Sequence, residues 1–551
     1  MWIQVTSVGD LIDQRASVSD RVALVIPGVR LTYPELSALT DRFAAGLLAL
    51  GVGPGDKVGI LMPNSVEYVA AIIGTAKLGA VAAPINGRFK ATEASHVISH
   101  GDLKVLLIAS DPNGTDYAAL VGEVFPGLAA ADPRALAFPT APFLRSIVDF
   151  AGSTPGLLTR ADFEAGAATV PVSQVKTLQT RVRVRDPVLL MYTSGTTAKP
   201  KGCLLTHEAI VRQAGNVART RFFLTEDDAL WDPLPLFHCG GIVPMIGCYT
   251  VGAKYCHAGF FEPAEALKTM AEERCSILYP AFETIWQAVL DHPDFKTTDL
   301  SAVRAIQSIC TPERLAQFEA AMPWASQVSS YGSTECATNL TMSLPDDPYE
   351  MRMQTLGSVV EGMEIKIVDP ETGADLPAKT MGELCFRGYS QFEGYYKDPE
   401  QTAATIDKDR WFHTGDRAMM DEAGNLIYGG RIKDMLKVGG ENVAAVEIED
   451  YLARIPDVRI AQVVGAPDAR YQEVPAAFIQ RAPDSKLTEE EVIAFCLGKI
   501  ASYKVPRYVR FVTEWPMSGT KIQKFALRDQ LARELAEKGI KEAPRLAPAK
   551  G

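Results

Sequence analysis

Helical segments and short apolar segments alternate along the first two hundred residues of the chain. Residues 36–50 carry apolar side chains at helical spacing, whereas residues 57–62 and 103–109 are apolar runs of strand length. A strand that is apolar along its whole length must be covered on both faces, as happens when helices flank a sheet. The alternation therefore predicts a layered α/β fold with largely buried strands.

The organisation changes after about residue 350. Three short strand candidates at residues 365–369, 382–386 and 426–428 are separated by turns that contain glycine or proline, which predicts a β-rich subdomain. A polar, glycine-led segment at 429–434 follows, and a compact α/β segment lies beyond it. We place the domain boundary at about Lys433, which divides the chain into a large N-terminal domain, 1–432, and a small C-terminal domain, 433–551.

Two other stretches carry no recognisable chemistry. Residues 112–171 are rich in Ala, Gly and Pro and are expected to form a variable surface region. The last fourteen residues, from Lys538, are expected to fray.

The bulk composition excludes several classes of protein. A length of 551 residues with 47% hydrophobic and 22% charged residues is typical of a globular protein with more than one domain. The formal net charge of −12 argues against a general nucleic-acid-binding surface, so an anionic partner would need a local cluster of donors and cations. Lys77 and Gly79 interrupt the most apolar stretch, 68–85, which argues against a membrane span.

The nine cysteines show no CxxC pair and no paired Cys/His cluster, so their spacing predicts reduced, mostly buried thiols in a cytoplasmic protein and argues against a zinc site. The N-terminus lacks the basic and apolar regions of a secretory signal. The oligomeric state, including a homodimer, is left open.

The apolar strand at 188–192 runs into a loop, 193–202, that is rich in hydroxyls and contains two glycines and two lysines. Exposed backbone N–H groups, hydroxyls and lysines suit a polyphosphate. The loop does not match the Walker pattern GxxxxGK[ST], and a solvated turn is the alternative interpretation.

Five segments in order resemble the motifs of the adenylate-forming superfamily, which includes acyl-CoA synthetases, luciferases and the adenylation domains of peptide synthetases. The segments are MYTSGTTAKPKG at 191–202, YGSTE at 331–335, GYY at 394–396 with WFHTGD at 411–416, GRIKD at 430–434 with GGENV at 439–443 and EIE at 447–449, and KIQKFAL at 521–527. The resemblance covers essentially the whole chain. It implies an ATP-dependent ligase that converts a carboxylic acid to an acyl-adenylate and then transfers the acyl group to coenzyme A.

The resemblance also implies which residues bind ATP. They are Thr193, Ser194, Gly195, Thr196, Thr197, Lys201, Gly332, Ser333, Thr334, Asp416 and Arg431. The loop would hold the β- and γ-phosphates, and Thr334 would bind the α-phosphate. Glu335 would bind Mg²⁺, with Thr197 as a weaker ligand. Asp416 would accept hydrogen bonds from both ribose hydroxyls.

Catalysis is assigned to Lys521, Glu335 and Thr193. An ammonium at Lys521 would compensate the charge that develops between the substrate carboxylate and the α-phosphate. A glycine usually precedes this lysine directly in the family, whereas Thr520 intervenes here, so Lys524 remains the alternative.

Two half-reactions require two arrangements of a mobile C-terminal domain. The resemblance assigns the hinge to Lys433 and the coenzyme A channel to Lys437, Gly439 and Gly440. A different acceptor, such as a carrier protein or the oxidation seen in luciferases, and a non-catalytic nucleotide-binding relative are the competing hypotheses.

The acyl pocket is assigned to residues that match the family's acyl-site segments. They are Phe237, His238, Gly240, Tyr279, Phe282 and Ser308. His238 is expected to act as a gate or wall, with a hydrogen-bonded core histidine as the alternative. Positions 237–241 are uncharged, which disfavours an amino acid substrate and predicts a predominantly apolar acid, either aliphatic or aryl-substituted.

Overall fold

The computed structural model of this chain describes residues 5–111, 114–193, 200–432, 435–438, 441–518 and 521–545. Its α-helices are α1 (Val8–Ala16), α2 (Tyr33–Ala49), α3 (Val66–Lys77), α4 (Ala91–His100), α5 (Tyr117–Val124), α6 (Arg160–Ala168), α7 (Val172–Gln179), α8 (His207–Thr220), α9 (Cys239–Val251), α10 (Pro263–Glu272), α11 (Glu283–Leu290), α12 (Pro312–Ala321), α13 (Tyr349–Gln354), α14 (Pro399–Thr405), α15 (Ala445–Leu452), α16 (Glu489–Cys496) and α17 (Lys524–Glu537). Short 3₁₀ helices lie at Leu128–Ala130, Pro293–Lys296 and Thr334–Cys336.

The strands are β1 (Val22–Ile26), β2 (Val29–Thr32), β3 (Lys57–Leu61), β4 (Val81–Pro84), β5 (Leu103–Ile108), β6 (Ser146–Asp149), β7 (Leu158–Thr159), β8 (Pro187–Thr193), β9 (Lys201–Thr206), β10 (Ala229–Asp232), β11 (Lys254–His257), β12 (Ile277–Phe282), β13 (Ala305–Ile309), β14 (Ser326–Val328), β15 (Ser330–Ser333), β16 (Thr338–Met342), β17 (Ser358–Val359), β18 (Met363–Val368), β19 (Gly382–Gly388), β20 (Gly394–Tyr395), β21 (Phe412–Met420), β22 (Leu426–Arg431), β23 (Met435–Val438), β24 (Glu441–Ala444), β25 (Val458–Asp468), β26 (Gln472–Arg481), β27 (Tyr508–Phe511), β28 (Met517–Ser518) and β29 (Lys521–Ile522).

Two large, mainly parallel sheets form the N-terminal part of the molecule. One has the order β20-β9-β8-β4-β3-β5-β6-β7, and the other has the order β14-β13-β12-β10-β11-β1-β2. Helices cover both faces of these sheets, and strands such as β4 and β10 are therefore buried at every position. The predicted layered α/β architecture is therefore confirmed, and α2, β3, α3, β4, β5 and β8 lie where the apolar pattern indicated.

Smaller sheets follow along the chain. β15-β16-β17 form a three-stranded sheet, and β18-β19-β21-β22 form the predicted β-rich region. The C-terminal segment has its own sheet, β24-β23-β26-β25 with β27 on β26, covered by α15, α16 and α17. Lys433, the predicted boundary, lies outside the described residues.

Two expectations about surface segments were wrong. The stretch 112–171 contributes β6, which is buried at all four positions and pairs with β5 in the eight-stranded sheet. The tail does not fray over its described part, because Ala469 N–H donates to Lys541 O (2.9 Å) and Ala543 N–H donates to the Asp468 carboxylate (2.6 Å). Composition alone did not reveal these long-range partners.

Across the described ranges, no helix combines the length and the apolar character that crossing a bilayer requires.

Candidate active site

The flanks of the predicted phosphate loop form an antiparallel pair of strands. Thr193 ends β8 and lies opposite Lys201 at the start of β9. The Lys201 ammonium donates to Gln401 Oε1 (2.9 Å) and lies 5.3 Å from the centre of the Tyr395 ring. The predicted ligands between these flanks, Ser194, Gly195, Thr196 and Thr197, lie outside the described residues.

The Gly332–Glu335 segment turns sharply from β15 into a 3₁₀ helix. A Cβ atom at Gly332 would lie 1.7 Å from the carbonyl oxygen of Thr338, so only glycine fits this position. Ser333 precedes the 3₁₀ helix, and its N–H lies 3.2 Å from the Cys336 sulfur. This close packing fixes the backbone positions of the next two residues, Thr334 and Glu335.

Glu335 and its neighbours lie against two buried thiols. Burial raises the pKa of Cys203 above its usual range; the nearby Glu335 carboxylate adds to this rise, and a hydrogen bond with Thr193 opposes it. Burial likewise raises the pKa of Cys239, which a hydrogen bond with Thr334 opposes. The structure therefore brings Thr193, Thr334 and Glu335 close together, although they come from separate parts of the sequence.

The third predicted motif reaches the same place through Tyr395. The Tyr395 hydroxyl donates to Glu335 Oε1 (3.1 Å), and Phe392 N–H donates to the Glu335 carbonyl oxygen (2.8 Å). Burial, followed by the nearby Glu335 charge, raises the pKa of Tyr395 above its usual range, so this phenol remains a donor. Tyr395 lies within the GYY motif at 394–396, but it is not among the site residues predicted from the sequence.

Asp416 is a buried carboxylate held from two sides. The Tyr331 hydroxyl donates to Oδ2 (2.5 Å), and the Arg431 guanidinium lies 3.1 Å from Oδ1. Asp416 and Arg431 are also paired across β21 and β22. A short carboxylate with a fixed orientation suits a pair of vicinal hydroxyls. Tyr331, 85 residues before Asp416 in the sequence, was not predicted as a site residue.

The segment of β21 that carries Asp416 is fixed by hydrogen bonds to β19. Gly415 N–H donates to Glu383 Oε1 (3.0 Å), and the Thr414 hydroxyl donates to Leu384 O (2.7 Å). Asp416 N–H in turn donates to the Thr414 hydroxyl (3.0 Å). Strand β21 has a bulge at 414–416, where three of its residues lie opposite one residue of β19. This bulge displaces Asp416 from the regular ladder between the two strands.

A small apolar cavity lies between α8 and α9, next to the start of β16, the strand that follows the YGSTE motif at 331–335. Its lining residues are Ala214, Val217, Ala218, Phe222, Leu224, Leu230, Val243, Pro244, Gly247, Tyr279, Thr338 and Asn339. The Tyr279 hydroxyl donates to Asn339 Oδ1 (3.1 Å), so the polar groups of the lining are engaged with each other. Among the predicted acyl-pocket residues, Tyr279 is the one that contacts this cavity.

The other predicted acyl-pocket residues lie at the start of α9 or on the strands β12 and β13. His238 is the residue before α9, and its ring lies 4.7 Å from that of Phe237. Gly240 lies in the first turn of α9, where a Cβ atom would come within 2.8 Å of Leu234. Phe282 ends β12 and is partly buried.

Ser308 and Gln307 make different contacts, as neighbours on a strand do. The Ser308 hydroxyl donates to Gln327 Oε1 (3.3 Å) on β14. Gln307 Nε2 instead donates to the Ser330 hydroxyl (2.9 Å), which also lies 3.3 Å from Asn339 Oδ1. Gln307 therefore belongs to the buried polar network that reaches the cavity.

The two candidate lysines of the C-terminal domain are placed differently. Lys521 lies on β29, and its side chain is outside the described part of the structure. The Lys524 ammonium lies 2.6 Å from the Glu449 carboxylate, which also accepts from Val463 N–H (2.6 Å). Lys437 lies on β23, where its N–H donates to Glu473 (3.0 Å). Gly439 and Gly440 are outside the described residues.

Ion pairs connect the C-terminal domain to the large domain. Arg454 pairs with Glu313 (2.8 Å), and Arg459 pairs with Asp291 (2.5 Å). Nearby, burial raises the pKa of Glu283 and of Asp450 to about 7 each. The contact between α15 and the helices α11 and α12 therefore contains carboxyl groups that titrate near neutral pH.

The donor set around Glu335 fits a hard divalent cation. The structure contains a partly buried carboxylate with hydroxyl-bearing residues beside it, and oxygen donors of this kind are those that Mg²⁺ prefers.

Comparison with known proteins gives a consistent picture. Residues 12–396 match the model of the AMP-binding enzyme family, and residues 447–521 match that of the AMP-binding enzyme C-terminal domain. The chain is 36% identical over 534 residues to YngI of Bacillus subtilis (strain 168), provisionally named as an acyl-CoA synthetase, covering 95% of this chain and 97% of YngI. It is 34% identical to the mitochondrial medium-chain acyl-CoA ligase ACSF2 of Bos taurus, covering 96% of this chain and 88% of that protein.

A solved structure resembles the whole fold. The anthranilate CoA ligase AuaEII, in complex with anthranoyl-AMP, superposes with a TM-score of 0.85 at 28% sequence identity, covering 97% of this chain and 99% of that one.

Proposed function

The chain belongs to the AMP-binding enzyme family, and on that premise we propose that it ligates a predominantly apolar, medium-length carboxylic acid to coenzyme A. The protein is an acyl-CoA ligase that forms an acyl-adenylate from ATP and then transfers the acyl group to coenzyme A. The observation that carries the proposal is an apolar cavity lined in part by Thr338 and Asn339, which begin β16, the strand that follows the motif at 331–335.

The chemistry requires a better leaving group on the acid. A carboxylate becomes an acyl donor when its oxygen attacks the α-phosphate of ATP, releasing pyrophosphate and leaving AMP on the acyl group. A thiolate of coenzyme A then displaces AMP. The protein must therefore bind a nucleotide, offset the repulsion between two anions and admit a thiol.

Asp416 would orient the ribose. Its two oxygens have fixed directions because Tyr331 and Arg431 hold one each, and both hydroxyls of a ribose can donate to such a carboxylate. Thr334 would bind the α-phosphate, and Lys201 with Thr193 and the loop 194–197 would bind the other phosphates. Gly332 and Ser333 would position this segment.

Mg²⁺, when bound, would neutralise charge on the phosphates. Glu335 would hold it, with Thr197 as the second ligand. Tyr395 would keep the Glu335 carboxylate oriented, since its phenol donates to one of the two oxygens.

Lys521 is proposed as the adenylation lysine in preference to Lys524. Supporting this choice, Lys524 forms an ion pair within the C-terminal domain itself. Moving Lys524 to a substrate would leave Glu449, which is 8% exposed, without its cation. Lys433 as hinge, and Lys437, Gly439 and Gly440 as coenzyme A contacts, rest on the family motifs.

The division at Lys433 is likewise a proposal. In its favour, the two family models leave residues 397–446 between them, and Lys433 lies in that interval.

The cavity and the relatives together support the substrate class. No charged side chain is among the cavity-lining residues, so a charged acyl chain would lose its hydration without compensation. Medium-chain acids are the substrates that the name of the bovine relative specifies, and an apolar chain would gain roughly 0.8 kcal/mol per buried methylene.

A panel of acids tests the proposal. Protein, ATP and Mg²⁺ are incubated with straight-chain acids of increasing length, aryl acids, dicarboxylic acids and amino acids, with and without coenzyme A. We expect free thiol to disappear with medium-length apolar acids and to persist with charged ones. Equal rates with dicarboxylic or amino acids would overturn the substrate class, and no thiol loss with any acid would overturn the acceptor.

A further inference from the structure

Three potential metal donors converge on one face of the β-rich sheet, outside the ATP and acyl sites. Glu383 and Cys385 lie two residues apart on β19 and therefore point to the same face. His413 lies directly opposite Cys385 on β21. The spacing of these residues in the sequence resembles no metal motif, because the histidine follows 28 residues after the cysteine.

The donor atoms are already close to one another. The Cys385 sulfur lies 3.4 Å from His413 Nδ1, and His413 Nδ1 lies 2.8 Å from Glu383 Oε2. One atom from each side chain falls within 4.8 Å of the other two, and among the described residues this is the one such group of three. Tetrahedral zinc holds sulfur and nitrogen ligands about 3.5 Å apart, given its usual bond lengths. The sulfur and nitrogen need little movement, and Glu383 would have to retreat by roughly half an ångström.

The surrounding charge also favours a cation. Asp407 Oδ2 lies 3.8 Å from His413 Nε2, and Asp375 acts on the Cys385 thiol from the neighbouring segment. The cations near the group are Lys366, whose ammonium pairs with Asp375 (2.9 Å), and Arg387, whose guanidinium pairs with Glu364 (2.8 Å). These carboxylates engage both cations, so Glu383 and Asp407 are the charges beside the thiol and the imidazole.

We propose that Glu383, Cys385 and His413 form a binding site for a borderline-soft divalent ion of the zinc type, with water completing the tetrahedron. One sulfur, one imidazole nitrogen and one carboxylate oxygen are ligands that zinc accepts and that Mg²⁺ and Ca²⁺ do not select. The thiol loses its proton to solvent when the metal–sulfur bond forms, so binding releases about one proton per ion at neutral pH.

Occupation of this site affects the segment of β21 that carries Asp416. Metal binding replaces the hydrogen bond between Glu383 and His413, and the other oxygen of Glu383 holds Gly415 N–H. A shift of this carboxylate moves Gly415 and hence Asp416. Zinc is therefore an inhibitor that weakens ATP binding, a consequence that rests on the proposed role of Asp416 in binding ribose.

Cobalt(II) titration of the full-length, tag-free protein tests the site directly. Cobalt bound by a thiolate shows a sulfur-to-metal charge-transfer band in the near ultraviolet. We expect this band to reach saturation at one ion per chain, to disappear when zinc is added and to be absent in Cys385→Ser. Cys310→Ser is the matched control, because Cys310 is partly exposed and lies outside the group, so this variant should keep the band.

A second variant guards against effects on folding. His413→Gln, checked by circular dichroism, should weaken zinc binding at least tenfold and reduce proton release. A band that is missing in the wild type, or that remains in Cys385→Ser, would overturn the site. Zinc binding that leaves the KM for ATP unchanged would overturn the inhibitory coupling. Because the titration needs no turnover, failure of the proposed ligase activity would not be mistaken for failure of the metal site.

Discussion

At the scale of single residues, the Asp416 carboxylate depends on neighbours that come from distant parts of the chain. Tyr331 donates to one oxygen, and Arg431 lies against the other. Burial restricts the Tyr331 side chain, which is 7% exposed, and the sheet pairing fixes the Arg431 backbone next to Asp416, although the Arg431 side chain is 44% exposed. We infer that the direction of the carboxylate, and with it the affinity for ribose, is set by these two groups.

Tyr331→Phe removes one of these constraints and should weaken ATP binding. A hydrogen bond to a charged group contributes about 1.5–3 kcal/mol, so the KM for ATP should rise at least tenfold while the KM for the acid changes little. Tyr33→Phe is the control, because it removes another buried phenolic hydrogen bond, to Ala253 O, at the start of α2 rather than in the sheet that carries Asp416. An unchanged KM for ATP in Tyr331→Phe would contradict the assignment.

Tyr395→Phe should act on the other side of the site. The Glu335 carboxylate would lose its phenolic donor, so its proposed Mg²⁺ ligation should become less favourable. We expect the Mg²⁺ concentration for half-maximal activity to rise several-fold with little loss at saturating Mg²⁺. A loss of activity that high Mg²⁺ does not restore would show that Tyr395 acts in another way.

At the scale of elements, the contact between α8 and α9 sets the width of the apolar cavity. The helices approach closely where Gly247 faces α8, since a Cβ atom there would lie 3.1 Å from Ala214 O. Ala218 lines the cavity on the same helix. The cavity between the helices is about the size of one water molecule (about 10 Å³), so an acyl chain would enter it only after the side chains around Gly247 and Ala218 move apart.

Ala218→Val should shift the preference towards shorter acids. Two added methyl groups occupy part of the cavity, and pocket contacts of this size change discrimination by about 1–3 kcal/mol. We expect kcat/KM for the longest accepted acid to fall about tenfold or more, with a smaller loss for short acids. Ala266→Val in α10 introduces the same change at another buried alanine and should leave the ratio between acids unaltered. A uniform loss across acids in Ala218→Val would indicate general destabilisation.

The sequence predicted the helices and strands well, but it predicted few of the side-chain contacts between them. Apolar periodicity is a local property, so it located α2, β3 and α3 closely. The contacts of Tyr331 with Asp416 and of Tyr395 with Glu335 join residues 85 and 60 positions apart, and no local pattern encodes them. The same reason explains why β6 was not predicted within 112–171. The motif resemblance assigned Thr193, Thr334 and Glu335 to one nucleotide site, and the structure brings them close together, while their roles stay predictions.

At the scale of the whole molecule, the contact between the two domains should respond to pH. Glu283 and Asp450 have pKa values of about 7 in the contact, raised by burial from ordinary values near 4. The contact therefore binds protons more tightly than separated domains do. The contribution of these two groups to the contact is complete below about pH 4 and is lost as the pH rises from there to about 7.

Hydrogen exchange checks this dependence. Protection of the α15 amides, corrected for the intrinsic pH dependence of exchange, should be greater at pH 6 than at pH 8 in the wild type. Asp450→Asn keeps the position neutral and should flatten this difference. Asp457→Asn offers the same substitution on the C-terminal domain, at a carboxylate that accepts from Ser485, and should preserve the difference. Protection that increases with pH in the wild type would reverse the sign of the argument.

The division of labour between the domains is the central claim, and Lys521→Ala tests it most directly when the two half-reactions are measured separately. Acid-dependent exchange of label between pyrophosphate and ATP should fall by several orders of magnitude. Transfer of the acyl group from a presynthesised acyl-adenylate to coenzyme A should keep much of its wild-type rate. Equal loss in both half-reactions, or exchange that survives in Lys521→Ala and is lost in Lys524→Ala, would contradict the account.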